Sequence, residues 1–104
     1  MRMWMVDPKK LCRKHLLGEH VELHMFVGTI KRGSSLKGYL EKGLLDTTSI
    51  MKRHAALVKE MKVRGYNHKS ELYYEDVLGL TGCIDIQENE KELARRCEKC
   101  KELK

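Results

Sequence analysis

Residues 15–26, His15-Leu16-Leu17-Gly18-Glu19-His20-Val21-Glu22-Leu23-His24-Met25-Phe26, constrain the fold more than any other stretch of the chain. At 3.6 residues per turn, Leu16, Leu23, Val27 and Ile30 form one stripe and Leu17, Val21 and Gly28 a second, while Met25 and Phe26 reach a third side. A helix apolar on most of its faces is buried in its domain, so the stretch predicts a central helix with the rest of the chain packed around it. His15, Glu19 and Glu22 follow at spacings of four and three, which stacks them on one face. Burial raises the pKa of a carboxyl group, a common route to a proton shuttle near neutral pH. The competing reading makes Glu19 and Glu22 a hydrated stripe on a long helix.

Local signals divide the remainder. An apolar lead, residues 1–6, runs into Asp7-Pro8, which reads as the cap and first position of a short turn, because proline lacks only a donor that has no partner there. The central helix should end near Gly33-Ser34-Ser35. Residues 36–45 keep a helix-like spacing of leucines and Tyr39 across Gly38 and Gly43, and read as a short or broken helix. Asp46 caps the next helix and Gly65 stops it. There Ile50, His54, Leu57, Val58 and Met61 mark one face, with Lys52, Arg53, Lys59, Lys62 and Arg64 on the other sides. His54 on that apolar face is expected to be a hydrogen-bonded core histidine. Residues 66–70 read as a polar loop and residues 83–86 as a short extended piece. Residues 89–100 read as a closing helix with Leu93, Cys97 and Cys100 on one face. The expected fold class is mainly α: a single compact helical domain over residues 1–104, built around a buried central helix.

A chain of 104 residues can bury a core large enough to fold unaided. Lys and Arg number 21 against 15 Asp and Glu, a net charge of +6 that suits a polyanionic partner, most simply nucleic acid. No apolar run approaches the ~18 residues of a membrane span, and the lead before Asp7-Pro8 is too short for a signal peptide. The expected location is therefore cytoplasmic and DNA-associated, with the four cysteines as thiols or metal ligands rather than disulfides. Cys97-x-x-Cys100 on a helix turns two sulfurs to one side, half of a zinc site. The other half would have to come from Cys12, Cys83 or a histidine. There is no second Cys-x-x-Cys, buried apolar cysteines are the rival reading, and no metal or other cofactor is assigned. His20 and His24 carry no assigned role.

His15-Leu16-Leu17-Gly18-Glu19-His20-Val21-Glu22-Leu23 closely resembles the segment His-Leu-Met-Ala-Glu-Tyr-Arg-Glu-Leu of the pyrimidine-dimer DNA glycosylases of the phage endonuclease V type. Phe26-Val27-Gly28 continues the match, and Arg2 falls where that family has an arginine after its first residue. Glu60-Met61-Lys62-Val63-Arg64-Gly65-Tyr66-Asn67 resembles the family's Glu-Cys-Leu-Lys-Arg-Gly-Phe-Asn. Residues 84–96 echo its last helix.

The resemblance implies a compact helical domain, monomeric, that inserts into damaged double-stranded DNA at a lesion. In that family the α-amino group of the first residue attacks C1′ of the damaged nucleotide, the glycosidic bond breaks, and a Schiff base forms. β-Elimination then cuts the strand. Met1 would supply the amine, and Glu22 matches the family's catalytic glutamate. Substrate contacts are expected from Arg2, His15, Glu19, Arg64, Asn67, His68 and Lys69, with Lys31, Arg32 and Arg53 as further phosphate-holding candidates. The residue chemistry fits. An α-amine with a reference pKa of about 7.7–8.0 is partly neutral at pH 7, whereas a lysine near 10.4 needs large depression. Arg2 beside it would favour the neutral amine and could hold a phosphate.

Three departures stand out. The family examples begin with threonine after loss of the initiator methionine, whereas Arg2 is too bulky for that processing, so Met1 should remain. The family's DNA-holding arginines flanking the glutamate are Val21 and Met25 here. The phage tail Trp-Tyr-Lys-Tyr-Tyr is absent, and Cys97-Glu98-Lys99-Cys100 stands near its start. The rival functions are a non-catalytic basic nucleic-acid-binding helical module and a small structural partner of another protein.

Overall fold

The computed structural model describes residues 2–66, 68, 72, 74, 79, 82 and 84–102. Among them are five α-helices and no strand: α1 (Arg13–Lys31), α2 (Lys37–Glu41), α3 (Ile50–Val63), α4 (Ile86–Arg96) and α5 (Glu98–Glu102), with 3-10 turns at Pro8–Lys10 and Thr47–Ser49. The fold is mainly α, as the sequence predicts. No described helix is long and apolar enough to cross a membrane.

The predicted punctuation operates locally. The Asp7 side chain accepts the Lys9 N–H ahead of Pro8, and Asp46 accepts the Thr48 N–H. Gly33 and Gly65 take φ of 72° and 81° after α1 and α3, a left-handed geometry that is nearly free for glycine alone. The short helix expected within residues 36–45 is α2.

α1 packs on α3. Leu16, Leu23, Phe26 and Val27 of α1 meet Ile50, Leu57 and Met61 of α3, and Leu93 of α4 closes the same core. The apolar lead is threaded into it, with Met3, Trp4 and Val6 buried and the Met3 N–H donating to Leu44 O at 2.7 Å. Gly82 lies so near the Leu45 carbonyl that an added Cβ would stand 1.8 Å from its oxygen, which fixes that position as glycine.

Three expectations need correction. α1 is not wrapped on every side: Val21 and Met25 are 54% and 49% exposed. Ile86 starts α4 rather than ending an extended piece, because Asp85 accepts the Glu88 N–H and caps a helix there. The closing helix is two helices, broken where Cys97 turns extended at φ −138° and ψ 111°. No glycine or proline stands at that break.

Candidate active site

A pocket of about 310 Å³ opens on the face of α1 that carries His15, Glu19 and Glu22, and Arg2, Trp4, Lys14, Gly18 and Arg96 complete its lining. Three parts of the chain thus meet: the lead, the first turns of α1 and the end of α4. The sequence places the three α1 residues on one face by spacing, but nothing in it pairs them with Trp4 or Arg96.

The two glutamates differ sharply in setting. Glu19 is buried, and the Arg53 guanidinium clasps it with Nε donating to Oε2 at 2.5 Å and Nη2 to Oε1 at 2.8 Å. The Met5 N–H also donates to it, from a residue held at φ 57°, a left-handed conformation uncommon outside glycine. Burial pushes the Glu19 carboxyl above its usual range, with Arg53 and Met5 acting in the opposite direction. Arg53 is thus a buried counter-ion on α3 rather than one of its outer cations, and its guanidinium faces a carboxylate rather than a phosphate. Glu22, half-buried, accepts the backbone N–H of Arg2 at Oε2, 3.3 Å away.

The Arg2 side chain lies across the Trp4 ring, 4.1 Å from its centroid. Its Nη2 donates to Asn89 Oδ1 at 2.5 Å, and Asn89 Nδ2 donates to Trp4 O at 2.8 Å. One buried asparagine on α4 therefore holds both residues of the lead. Burial and then the neighbouring Arg96 charge lower the Arg2 guanidinium below its ordinary value. Like charges gathered on one wall disfavour each other until an anion arrives. Trp4, Lys14, Asn89 and Arg96 carry no motif that would have marked them in the sequence.

Other expected contacts lie elsewhere. Arg64 does not line this pocket: Nη2 donates to Pro8 O at 3.1 Å and Leu11 O at 2.6 Å, and Nε to Glu60 at 3.4 Å. It ties the first 3-10 turn to the end of α3. His68 joins a histidine cluster on the far side of α1, its Nε2 3.0 Å from His20 Nε2, which also lies 3.1 Å from His54 Nε2. His54 is the buried, partnered histidine that its place on the apolar face predicts. The cluster, with His24 against it, holds the His20 pKa down to about 4, through burial first and then the charges of His54, His24 and His68. Met1, Asn67, Lys69 and Cys83 lie outside the described residues.

Two groups bring metal-donor atoms within 4.8 Å of one another: His20, His54 and His68, and the set Cys12, His15, Cys97 and Cys100. The half-site legible at Cys97 and Cys100 is therefore met by Cys12 and by His15, whose ring also stands edge-on to Trp4 at 6.0 Å.

The family model described as pyrimidine dimer DNA glycosylase matches residues 1–74. No curated protein and no solved structure matches the chain.

Proposed function

The chain belongs to the pyrimidine dimer DNA glycosylase family, and on that premise we propose that it excises a damaged pyrimidine from duplex DNA and cuts the strand through a Schiff base on the Met1 α-amine. The observation that carries this reading is the Arg2 N–H···Glu22 hydrogen bond. A first residue's amine is separated from the second residue's amide by a single Cα–C unit, and consecutive Cα atoms are about 3.8 Å apart. A carboxylate that holds that amide is within reach of such an amine.

In the proposed sequence the neutral amine adds its lone pair to C1′, and the glycosidic bond breaks with its electron pair leaving on the base. Loss of the amine proton leaves a neutral aminal at C1′, whose nitrogen lone pair then expels O4′. The C1′–O4′ bond breaks, O4′ takes up a proton as the sugar ring opens, and an iminium results. Removal of a C2′ proton then expels the 3′ phosphate and cuts the strand. Glu22 accepts the protons and faces the cationic iminium, a role that suits a half-buried carboxylate in a walled pocket. Arg2, Lys14 and Arg96 supply positive charge for the flanking phosphates, and His15 lines the same pocket. Glu19 acts through position, since its oxygens are taken by Arg53. Val21 and Met25, where the resembling family carries arginines, stand exposed on the same helix as apolar groups and shift phosphate binding onto the lead and α4.

Borohydride reduction of the protein with abasic duplex DNA tests the proposal. A covalent adduct mapping to the N-terminal peptide is expected, and Glu22→Gln should lower strand cleavage by about a hundredfold or more while DNA binding persists. An adduct on a lysine would remove the N-terminal amine from the mechanism. No adduct at all, with binding retained, would favour the non-catalytic DNA-binding module.

A further inference from the structure

Cys12, His15, Cys97 and Cys100 are separated by up to 88 residues, yet their sulfurs and one ring nitrogen converge. Cys12 Sγ lies 3.8 Å from Cys97 Sγ and 3.2 Å from His15 Nδ1, and Cys100 Sγ lies 3.4 Å from the same Nδ1. A tetrahedral zinc with Zn–S about 2.3 Å and Zn–N about 2.0–2.1 Å has S···S edges of about 3.8 Å and S···N edges of about 3.5 Å. The observed spacings are those edges to within a few tenths of an ångström. We infer that these four side chains form a structural zinc site of the Cys3His type, which staples the C-terminal helices to the start of α1.

The backbone around the site supports this. Both junctions leave helical geometry at a cysteine: Cys12 is extended immediately before α1, and Cys97 is extended between α4 and α5. The break at Cys97 falls where there is neither glycine nor proline, and at it the Cys97 sulfur stands 3.8 Å from that of Cys12. The Cys12 N–H donates to Cys100 Sγ at 3.3 Å, the kind of bond that orients a thiolate ligand. The ligands pair as Cys12-x-x-His15 and Cys97-x-x-Cys100, two short-range hooks from opposite ends of the chain. Four protein donors leave no open position, so the metal is structural and outside the chemistry of the pocket. Three thiolates and a neutral imidazole around a divalent ion carry one net negative charge, and of the charges that act on His15, Lys14 and Arg96 are positive and Glu22 opposes them. The staple holds α4, and with it Asn89 and Arg96, against the pocket that α1 and the lead form.

Elemental analysis of the purified protein should find a tightly held equivalent of zinc that needs a chelator for removal. Cobalt added in its place should give the intense thiolate-to-metal charge-transfer band of a sulfur-ligated tetrahedral site, a signature that the histidine cluster cannot produce. Cys97→Ser and Cys100→Ser should each weaken that band, whose intensity scales with the number of bound thiolates, whereas His15→Cys should keep the metal and shift the spectrum to an all-sulfur one. If the serine variants fail to fold, the cobalt spectrum of the unmodified protein decides alone. Folded protein that takes up no metal, or whose cobalt spectrum lacks thiolate bands, would overturn the site.

Discussion

Glu19 and Glu22 share one helix face one turn apart, and the structure gives them opposite properties. Glu19 is buried and its carboxylate oxygens are engaged by Arg53 and the Met5 N–H. Removing one member of a buried ion pair leaves the other charge uncompensated, a cost of about 3–5 kcal/mol. Glu19→Gln should therefore lower the free energy of unfolding by that order in urea titrations, with Glu19→Leu combined with Arg53→Met recovering much of it. Glu22→Gln should leave the same titration within about 1 kcal/mol, since its partner is a single half-buried amide. Equal losses from both glutamates would mean that Glu22 is as structural as Glu19.

At the scale of the elements, α1 and α3 are joined by the Glu19–Arg53 pair and by the histidine cluster. His20 is buried among His24, His54 and His68, and its pKa falls to about 4 from an ordinary 6.5. The folded state thus binds fewer protons than the unfolded chain between those values, and protonation favours unfolding. The contribution is intact above about pH 6.5 and is lost as the pH falls toward about 4. The melting temperature should drop across that window, and His20→Gln should flatten the drop. A profile unchanged by His20→Gln would assign the acid sensitivity to other groups.

Across the whole molecule the net charge of +6 acts only through where the cations stand. Arg64 is consumed in the frame, bonding two carbonyls of the first turn, whereas Arg96 is half-exposed at the pocket, with its Nε donating to Glu92 Oε1 and its side chain otherwise open to solvent. On duplex DNA each phosphate contact contributes about 0.9 to the slope of log affinity against log salt. Arg96→Gln should flatten that slope by about one unit. Arg64→Gln should leave it unchanged while lowering stability by about 1–3 kcal/mol, the cost of losing hydrogen bonds from a charged donor. The reverse pattern would move the DNA-facing surface to the end of α3.

What the sequence determined by itself was local, because it rests on residues a few positions apart. Asp7-Pro8 and Gly65 bound the elements they were expected to bound, Asp46 caps the 3-10 turn that leads into α3 rather than α3 itself, and the stretch around residues 15–26 is the helix the core is built on. The resemblance carried by that stretch also identified the family, whose model matches residues 1–74. Only the tertiary structure decided which acid is paired, which arginine is a strut and which cysteines meet. Glu19 and Arg53 are 34 positions apart, Cys12 and Cys97 are 85 apart, and no periodicity links such positions. Spacing assigns a side chain to a face of its own helix; what stands opposite that face depends on how the other elements are brought against it.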